Sequence, residues 1–563
     1  MKNKLSLLVV CISFASLATA QRKVITLSEG WGISPITTVK NITPEKVSIP
    51  HTWNANYPQG STLYNREMMI YWRDLEVTAD MQGKRLFLFF EGINSAADVF
   101  VNKKTVGTHL GGYTACSFEI TDYVKPGKNQ LEVWVSNAYR TDVLPISGDF
   151  NVYGGLHRPC HLIVTEQSCI SPTFYASPGV FIHQKNISEK SANIVVETLL
   201  SLKEVKSGLT LKTTVSDKNS RVVASTETAV TAENVKQPLQ IATPTLWNGK
   251  KNPYLYSVAV ELYEGGILKD KVVQRTGFRY FSVDADKGFF LNGKYLDLYG
   301  FCRHEDVKGK GSALTPEDYE TDMSLILESG ATAMRLAHYP HAEPMYKLSD
   351  ENGIVLWTEI PFVGPGGYAH TGYVKSVESN ARLSLKELVY QKYNHPSVIF
   401  WGVFNEILVT DSSARLFIGY DDPIPFIKEL NAMYKSLDSS RLTAIATCVE
   451  QSHYLGTSDL LAWNKYFGWY SDAAPEAGKF FDEARRTSGG QAVGVSEYGG
   501  GASVQQHQWP LDASNKADSR FHPEEAQNYC HEGNWEAFAQ RPYLWAKFIW
   551  LFADFQSYLR NEG

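Results

Sequence analysis

The chain has 563 residues, of which 43% are hydrophobic and 12% aromatic, and a formal net charge of −6. It is too long for a single hydrophobic core and predicts about three domains. The charge gives no reason to expect nucleic acid or an anionic membrane surface as a partner.

Residues 1–20 have the pattern of a secretory signal peptide. Lys2 and Lys4 precede an apolar run from Leu5 to Leu17, and Ala18-Thr19-Ala20 supplies small residues for cleavage after Ala20. The run is too short to span a bilayer, and no later stretch reaches the length of a membrane span. We therefore expect an exported protein, periplasmic or extracellular.

The seven cysteines give no pattern of a disulfide framework or a metal site. In the leader, Cys11 follows the bulky Val10, where a lipidated cysteine would need a small neighbour. The other six are scattered without metal-like spacing, and a chain of this size needs no disulfides. We expect structural buried thiols at these positions: Cys116, Cys160, Cys169, Cys302, Cys448 and Cys530.

Two all-β regions follow the leader. Residues 21–168 alternate apolar and polar side chains between turn signals, as in Arg85–Glu91, and predict a β-sandwich. Residues 169–280 continue with short strands such as Leu209–Val215. About seven strands in about 100 residues favour an immunoglobulin-like β-sandwich.

Residues 281–563 alternate strands with helices, which predicts a (β/α)₈ TIM barrel with its active site at the carboxyl ends of the strands. Thr315 and Pro316 are typical of a helix start, and Asp422-Pro423 opens another helix. The chain ends soon after the eighth strand, so we expect a barrel truncated after strand 8, without its closing helix. The eight predicted strands are 296–299, 332–335, 354–358, 397–404, 442–446, 460–464, 492–496 and 547–552.

The fourth predicted strand carries the first catalytic candidate. Ser397 to Phe404 is nearly all apolar, as in a parallel strand covered on both faces, and Asn405-Glu406 follows it directly. Glu497 follows the seventh strand in the same way. Two carboxylates across a barrel mouth are what hydrolysis of a glycosidic bond needs, one as proton donor and one as nucleophile or base.

Other polar side chains follow predicted strands, although each has an ordinary structural interpretation. A lone His338 is more often a hydrogen-bonded structural residue, Arg335 could pair with a barrel carboxylate, and Tyr466 could be a core aromatic. Convergence on one face of the barrel is the stronger signal. The set comprises Arg303, His304, Glu305, Arg335, His338, Glu359, Asn464, Tyr466 and Asp554.

Together these motifs resemble glycoside hydrolase family 2, which contains β-galactosidases, β-glucuronidases and β-mannosidases. The similar stretches cover nearly everything after the leader and occur in the family's order. They are Ile49–Asn54, Glu91–Ile93, Val101–Lys103, Gly111–Thr114, Asp149–Arg158, Arg303–Asp306, Met334–Pro340, Asn394–Ser397, Asn405-Glu406 and Ser496–Gly499.

The resemblance implies that the sandwich of residues 21–168 is a jelly roll of a sugar-binding type. It also implies a retaining mechanism with the two carboxyl groups about 5–5.5 Å apart. Glu406 would be the general acid and then base, and Glu497 the nucleophile. Asn405 would bind the sugar 2-OH, and Arg335 would keep the nucleophile ionised. The residues implied to line the sugar subsite are Asp149, His304, His338, Asn464, Tyr466 and Trp550.

Two departures from family patterns bear on cofactor and substrate. Some members hold Mg²⁺ with a Glu and a His soon after strand three, a pair that Glu359–Pro365 lacks, so we expect neither metal nor cofactor. Glucuronidases carry an Asn-x-Lys clamp for the substrate carboxylate beyond strand eight, past the end of this sequence. That motif therefore does not separate uronic acids from neutral sugars here.

The stretch Glu497–Ser503 with His507 resembles the β-galactosidase branch, whereas Asn464–Tyr470 occurs in both galactosidases and glucuronidases. The first expectation is therefore a β-galactosidase acting on an oligosaccharide or glycoside, with β-glucuronidase or β-mannosidase as alternatives. Of the other classes, a non-catalytic carbohydrate-binding protein conflicts with two intact carboxylates. A structural cell-surface protein leaves the strand-end residues unexplained. Homo-oligomerisation is left open.

Overall fold

The structure, a computed structural model, describes residues 22–36, 44–56, 66–146, 148–203, 208–364, 373–407, 421–449, 453–470, 473–511 and 516–558. The predicted signal peptide, with Cys11, lies outside these residues. Within them, no helix has both the length and the apolar character that a membrane crossing requires.

The first region is a β-sandwich of two antiparallel sheets, with strand orders β1-β10-β5-β8 and β3-β2-β4-β9-β6-β7. In β9 the buried Leu131, Val133 and Val135 alternate with half-buried neighbours, as a strand with one face on a core requires. The strands are β1 Lys23–Thr26, β2 Trp31–Pro35, β3 Glu45–Val47, β4 Met68–Val77, β5 Arg85–Phe90, β6 Ala96–Val101, β7 Lys104–Leu110, β8 Cys116–Glu119, β9 Gly127–Ser136 and β10 Cys160–Thr165.

The second region is a smaller antiparallel sandwich. One sheet has the order β11-β13-β12 with β16 also paired to β13, and the other has the order β15-β14-β17-β18. Its strands are β11 Ser168–Ile170, β12 Val180–Lys185, β13 Ser191–Leu202, β14 Leu209–Ser216, β15 Val222–Ala229, β16 Asn234–Ala242, β17 Tyr256–Glu264 and β18 Ile267–Thr276. A three-stranded sheet then leads into the third region, with β19 Phe281–Asp284, β20 Gly288–Leu291 and β21 Lys294–Tyr295.

The third region is a closed barrel of eight parallel strands, which confirms the predicted fold class. The strands are β22 Tyr299–Arg303, β23 Ala333–Leu336, β24 Val355–Glu359, β25 Val398–Asn405, β26 Leu442–Thr447, β27 Leu460–Asn464, β28 Ala492–Tyr498 and β29 Lys547–Ile549. The helices are α1 Pro316–Glu328, α2 Glu343–Asn352, α3 Glu378–Lys392, α4 Ile424–Leu437, α5 Ala477–Thr487 and α6 Glu524–Ala539. As predicted, Thr315 caps α1, in a capping box with Asp318.

Several strand boundaries differ from the prediction. The first barrel strand starts at Tyr299 instead of 296. The Leu296 N–H donates to the Phe289 carbonyl, so Leu296 continues the small sheet. Strand eight ends at Ile549, so Trp550 follows it directly.

The polar residues expected beyond the strand ends are in part the last strand residues themselves. Arg335 pairs with Trp357, and Asn464 pairs with Glu497 across the parallel ladder. Inward side chains of barrel strands form layers, and here the uppermost layer is polar. The strands therefore place these groups inside the mouth of the barrel instead of on its rim.

The six described cysteines are all free thiols. Five are buried as predicted, but Cys448, next to the end of β26, is only half-buried.

Candidate active site

The strand β25 is buried along its whole length and delivers Asn405 to the barrel mouth. Its Gly402 is required by close packing, because a Cβ there would lie 2.3 Å from the Cβ of Glu359 on the neighbouring strand. Glu406 follows with φ of +50°, a left-handed conformation that is uncommon for a residue with a side chain. Its N–H donates to the Ala446 carbonyl at 2.9 Å. The backbone is thus held in a less favourable conformation at a predicted catalytic residue.

Arg335, fully buried in β23, connects three acceptors in the barrel mouth. Its guanidinium donates to both carboxylate oxygens of Glu359, at 3.0 and 3.1 Å. It also donates to Glu497 Oε1 at 2.7 Å and to Asn405 Oδ1 at 2.8 Å. A planar guanidinium presents five N–H groups in fixed directions, which suits such simultaneous contacts.

Glu497 therefore receives donors on both oxygens. Arg335 contacts Oε1, and the Tyr466 hydroxyl donates to Oε2 at 2.5 Å. Hydrogen bonds donated to a carboxylate favour its ionised form. This arrangement suits a nucleophile.

Glu406 has a different environment. The Asn464 side-chain amide donates to Glu406 Oε1 at 2.8 Å and to Asn405 Oδ1 at 3.1 Å. The Ser496 hydroxyl donates to Asn464 Oδ1 at 2.6 Å, which fixes the orientation of the Asn464 amide. Asn464 thus links the two predicted catalytic strands.

The predicted subsite histidines lie on one side of this pair. His338 Nδ1 is 2.9 Å from Glu359 Oε1, and the His338 ring stacks on Trp550 with centroids 5.0 Å apart. His304 Nδ1 is 3.1 Å from the Tyr339 hydroxyl. Its buried Nε2 has no hydrogen-bond partner among the described residues, which leaves it available to a ligand.

The first sandwich contributes to the same wall. Asp149 is only 9% exposed, and the ring of the next residue, Phe150, has its centroid 5.1 Å from His304 and 6.1 Å from His338. The loop predicted to reach the barrel therefore does so. All ten sequence-predicted site residues lie on the strand ends, on the segments that directly follow them or on this loop.

Burial controls the protonation of the site. It raises the pKa of Glu497 to about 8; Glu406 adds to the rise, while Arg335 and Tyr466 oppose it. Burial also lowers the pKa of His304 and of His338 well below the usual histidine range. At neutral pH the two histidines are neutral, while for Glu497 burial favours the protonated form and the donors Arg335 and Tyr466 favour the carboxylate.

Sequence reasoning missed the roles of several residues. Glu359 was noted at a strand end but given no role, although it is fully buried and accepts from Arg335 and His338. The sequence signal for this role is weak, since a single Glu ending a strand is common. The aromatic wall of Phe150, Tyr339 and Phe555 carried no periodic signal and depends on loops that only the fold brings together.

Within the described ranges, His, Cys, Asp and Glu side chains form no group of three or more that could hold a metal ion. The expectation of no metal stays a prediction.

Comparisons with protein families assign most of the chain to one family. Family models match three successive segments: the sugar binding domain of glycosyl hydrolases family 2 at residues 35–166, glycosyl hydrolases family 2 at 178–279, and its TIM barrel domain at 283–562.

Named relatives include both glucuronidases and galactosidases. A β-glucuronidase of Bacteroides fragilis is 42% identical over 99% of this chain and 80% of its own length. A β-galactosidase of Thermoanaerobacter pseudethanolicus is 29% identical over 75% of this chain and 54% of its own. A solved structure of Bacteroides uniformis β-glucuronidase 2, covalently bound to cyclophellitol-6-carboxylate aziridine, superposes with a TM-score of 0.87. It is 29% identical, and the match covers 96% of this chain and 66% of that one.

Proposed function

The chain belongs to glycosyl hydrolases family 2, and from this premise we propose that it hydrolyses terminal β-D-glucuronides with retention of configuration. The observation that carries the choice of sugar is the 42% identity to a β-glucuronidase over 99% of this chain. The sequence patterns favour a β-galactoside first, whereas the identity to this relative supports a β-glucuronide.

The two carboxyl groups would act in sequence. The Glu497 carboxylate attacks the anomeric carbon and forms an ester with the sugar, while Glu406 donates its proton to the departing glycosidic oxygen. Glu406, now ionised, then takes a proton from water as that water attacks the anomeric carbon and releases Glu497. Arg335 and Tyr466 favour the Glu497 carboxylate that this starting state needs, and they act against the burial that raises its pKa.

The donors around the pair support this assignment. Arg335 and Tyr466 stabilise negative charge on Glu497, whereas the amide of Asn464 contacts Glu406. A carboxyl group with a neutral amide neighbour keeps its proton more readily than one that faces a guanidinium. Asn405, held by Arg335 and Asn464, is placed beside both carboxyl groups to bind a sugar hydroxyl.

A β-galactoside is the second candidate. It is favoured by the galactosidase relative and by the segment Glu497–Ser503 with His507. The mechanism would be the same, and only the recognition of the sugar C6 group would differ.

A substrate panel separates the candidates. We expect the 4-nitrophenyl β-D-glucuronide to give the highest kcat/KM, with the β-galactoside and β-mannoside lower by about 100-fold or more. In a site that binds the C6 carboxylate of a glucuronide, the hydroxymethyl group of a neutral sugar would leave the polar partners of that carboxylate without their acceptor. Preference for the galactoside would overturn the choice of sugar. Absence of turnover on all three would favour a carbohydrate-binding protein.

A covalent label tests the chemistry separately. We expect the 6-carboxylate cyclophellitol aziridine to add its mass to the peptide that contains Glu497, and a galactose-configured aziridine without the carboxylate to label more slowly. The Glu497→Gln variant should not be labelled. A label on any other residue would contradict the role given to Glu497.

The cellular location remains part of the proposal. The features of residues 1–20 support export, and mass spectrometry of the mature protein would test cleavage after Ala20.

A further inference from the structure

Two segments from distant parts of the chain meet above the sugar subsite. One is the loop of the first sandwich that carries Asp149, Phe150 and Tyr153, and the other is the segment 550–558 after the last barrel strand. We propose that Asp306, which joins these two segments, is a positioning residue that fixes the aromatic wall around His304.

Asp306 contacts both segments through one oxygen. Its Oδ2 accepts from the Tyr153 hydroxyl at 2.9 Å and from the Gln556 backbone N–H at 2.8 Å. The Tyr153 hydroxyl also lies 3.2 Å from Gln556 Oε1. A carboxylate that accepts hydrogen bonds from two segments fixes the position of both relative to the barrel. Asp306 lies three residues after the end of β22.

Further contacts extend the junction on both sides. The Tyr558 N–H donates to Asn151 Oδ1 at 3.3 Å. The ring of Tyr153 packs over Gly311, where an added Cβ would lie 2.7 Å from the ring. The junction therefore has a defined geometry.

The joined segments carry the rings that enclose His304. Phe555 immediately precedes Gln556, and its ring centroid is 4.5 Å from that of His304. Phe150, three residues before Tyr153, lies 5.1 Å from the same ring, and Trp550 lies 5.3 Å from it. Moving either segment would move a ring that contacts His304.

The orientation of His304 depends on this wall. Its Nδ1 meets the Tyr339 hydroxyl, but its Nε2 has no partner among the described residues. A single hydrogen bond constrains the side-chain torsions of His304 only in part, so packing against the flanking rings contributes to the direction of Nε2. That nitrogen is the atom available for a substrate hydroxyl.

The charge state of Asp306 suits this role. Burial raises its pKa to about 6, while the donors Gln556 and Tyr153 oppose the rise. The group is ionised at neutral pH, so both hydrogen bonds are charge-assisted.

The experiment uses the full-length chain and the variants Asp306→Ala, Asp306→Asn and Tyr153→Phe, with Asp122→Asn, an exposed carboxylate of the first sandwich, as the control. In Asp306→Ala we expect hydrogen–deuterium exchange at residues 551–558 to accelerate about tenfold, because the Gln556 amide loses its acceptor. Asp306→Asn retains an acceptor oxygen and should lie between the alanine variant and wild type. The control should match wild type.

The kinetic measurement rests on the proposed function. With the 4-nitrophenyl β-D-glucuronide, or the preferred substrate of the panel, we expect Asp306→Ala to raise KM about tenfold and to change kcat less than threefold. Tyr153→Phe, which removes one donor and keeps the ring, should shift both measurements in the same direction by less. If Asp306→Ala does not fold, the Tyr153→Phe variant tests the positioning role of Asp306 instead.

Two results would overturn the inference. One is unchanged exchange at 551–558 in Asp306→Ala. The other is accelerated exchange with wild-type KM, which would make the junction structural without an effect on the subsite. A wild-type protein inactive on every sugar would refute the proposed function instead, and the exchange measurement would then decide the role of Asp306 alone.

Discussion

The two ends of strand β25 lie in two buried polar clusters with opposite character. The mouth cluster, at its carboxyl end, contains Arg335, Glu359, His338, Glu497 and Asn405. The foot cluster, at its amino end, contains Asp350, His395, Ser397, Asp438 and Arg441. Both are fixed by hydrogen bonds between charged groups.

The pKa shifts differ between the clusters. In the foot cluster burial alone would lower the pKa of His395, but Asp350 and Glu343 raise it to about 9. Burial likewise opposes ionisation of Asp438, yet Arg441 and Ser440 lower its pKa to about 2. In the mouth cluster burial dominates, since it raises the pKa of Glu497 and of Glu359 and lowers that of His338.

The difference shows how the same residue types serve two purposes. In the foot cluster each charge has enough partners to remain charged, and the cluster stabilises the fold. In the mouth cluster burial disfavours the charged forms of Glu497, Glu359 and His338, and perturbed pKa values of this kind are typical of catalytic sites. Substitutions should therefore affect activity at one end of β25 and stability at the other.

The largest expected effect is in the mouth cluster. Replacing Glu497 by Gln removes the nucleophile and should lower kcat by about 10⁴-fold or more. Because Gln keeps the volume and an acceptor for Tyr466 or Arg335, we expect the thermal midpoint to stay within a few degrees. Steady-state kinetics and thermal unfolding of the same preparation measure both. A wild-type rate would contradict the assignment.

Replacing Glu406 by Gln should lower kcat/KM by about 10²–10⁴-fold for a leaving group of high basicity. The loss of kcat/KM should be much smaller with a 2,4-dinitrophenyl leaving group, which departs without a proton, although kcat should still fall because Glu406 is also the base for the attacking water. Comparing the two substrates tests the role as general acid. An equal loss on both would argue against it.

Substitutions in the foot cluster should lower the stability of the fold. In Asp350→Ala the Ser397 N–H and hydroxyl and the His395 ring lose their acceptor, and we expect the free energy of unfolding to fall by about 3 kcal/mol. Chemical denaturation measures this change. The kcat of the folded fraction should stay within about twofold of wild type. As a milder variant, Asp350→Asn keeps an acceptor oxygen for Ser397. A large loss of kcat with normal stability would break the comparison.

The pH dependence of activity tests the mouth cluster. Glu497 attacks as a carboxylate, and its pKa of about 8 means that this carboxylate forms only as the pH rises toward 8. We expect kcat/KM to rise about tenfold per pH unit below pH 8. The 2,4-dinitrophenyl glycoside should show the same rise, because its cleavage also needs the nucleophile. A kcat/KM that does not change between about pH 6 and pH 8 would contradict this prediction.

The pH dependence of stability tests the foot cluster. The pKa of His395 is higher in the folded protein than its ordinary value of 6.5, so its contribution is fully present below pH 6.5 and is lost as the pH rises to about 9. We expect wild type to lose on the order of 1–3 kcal/mol of unfolding free energy over this window. A His395→Gln variant should lack that component. Equal pH slopes in both proteins would exclude it.

The sequence predicted the strands better than the contacts between them. The apolar run of β25 and the helix start at Thr315 depend on local patterns, and both were predicted from them. Leu296 was predicted in the first barrel strand, but its N–H donates to the Phe289 carbonyl in the β20–β21 hairpin, so it belongs to the small sheet. The Asn394–Ser397 motif is part of the family resemblance, and the structure places it at the amino end of β25, away from the candidate site.

The two carboxylates could be identified because each ends a strongly apolar strand. Glu359 ends such a strand too, yet its role follows only from the Gly402 opposite it and from Arg335 beside it. The aromatic wall was not predictable, since Phe150 and Phe555 lie in separate regions of the chain and meet only after folding.

The junction between Tyr153 and Gln556 spans 403 residues of sequence. At about 5–20 residues per second, a ribosome would need about 20–80 s to proceed from one partner to the other. During that interval the first sandwich can fold, but one wall of the subsite does not yet exist. A nascent chain therefore completes this wall of its binding pocket only after all eight barrel strands have been synthesised, which delays any contact with substrate until the barrel is present.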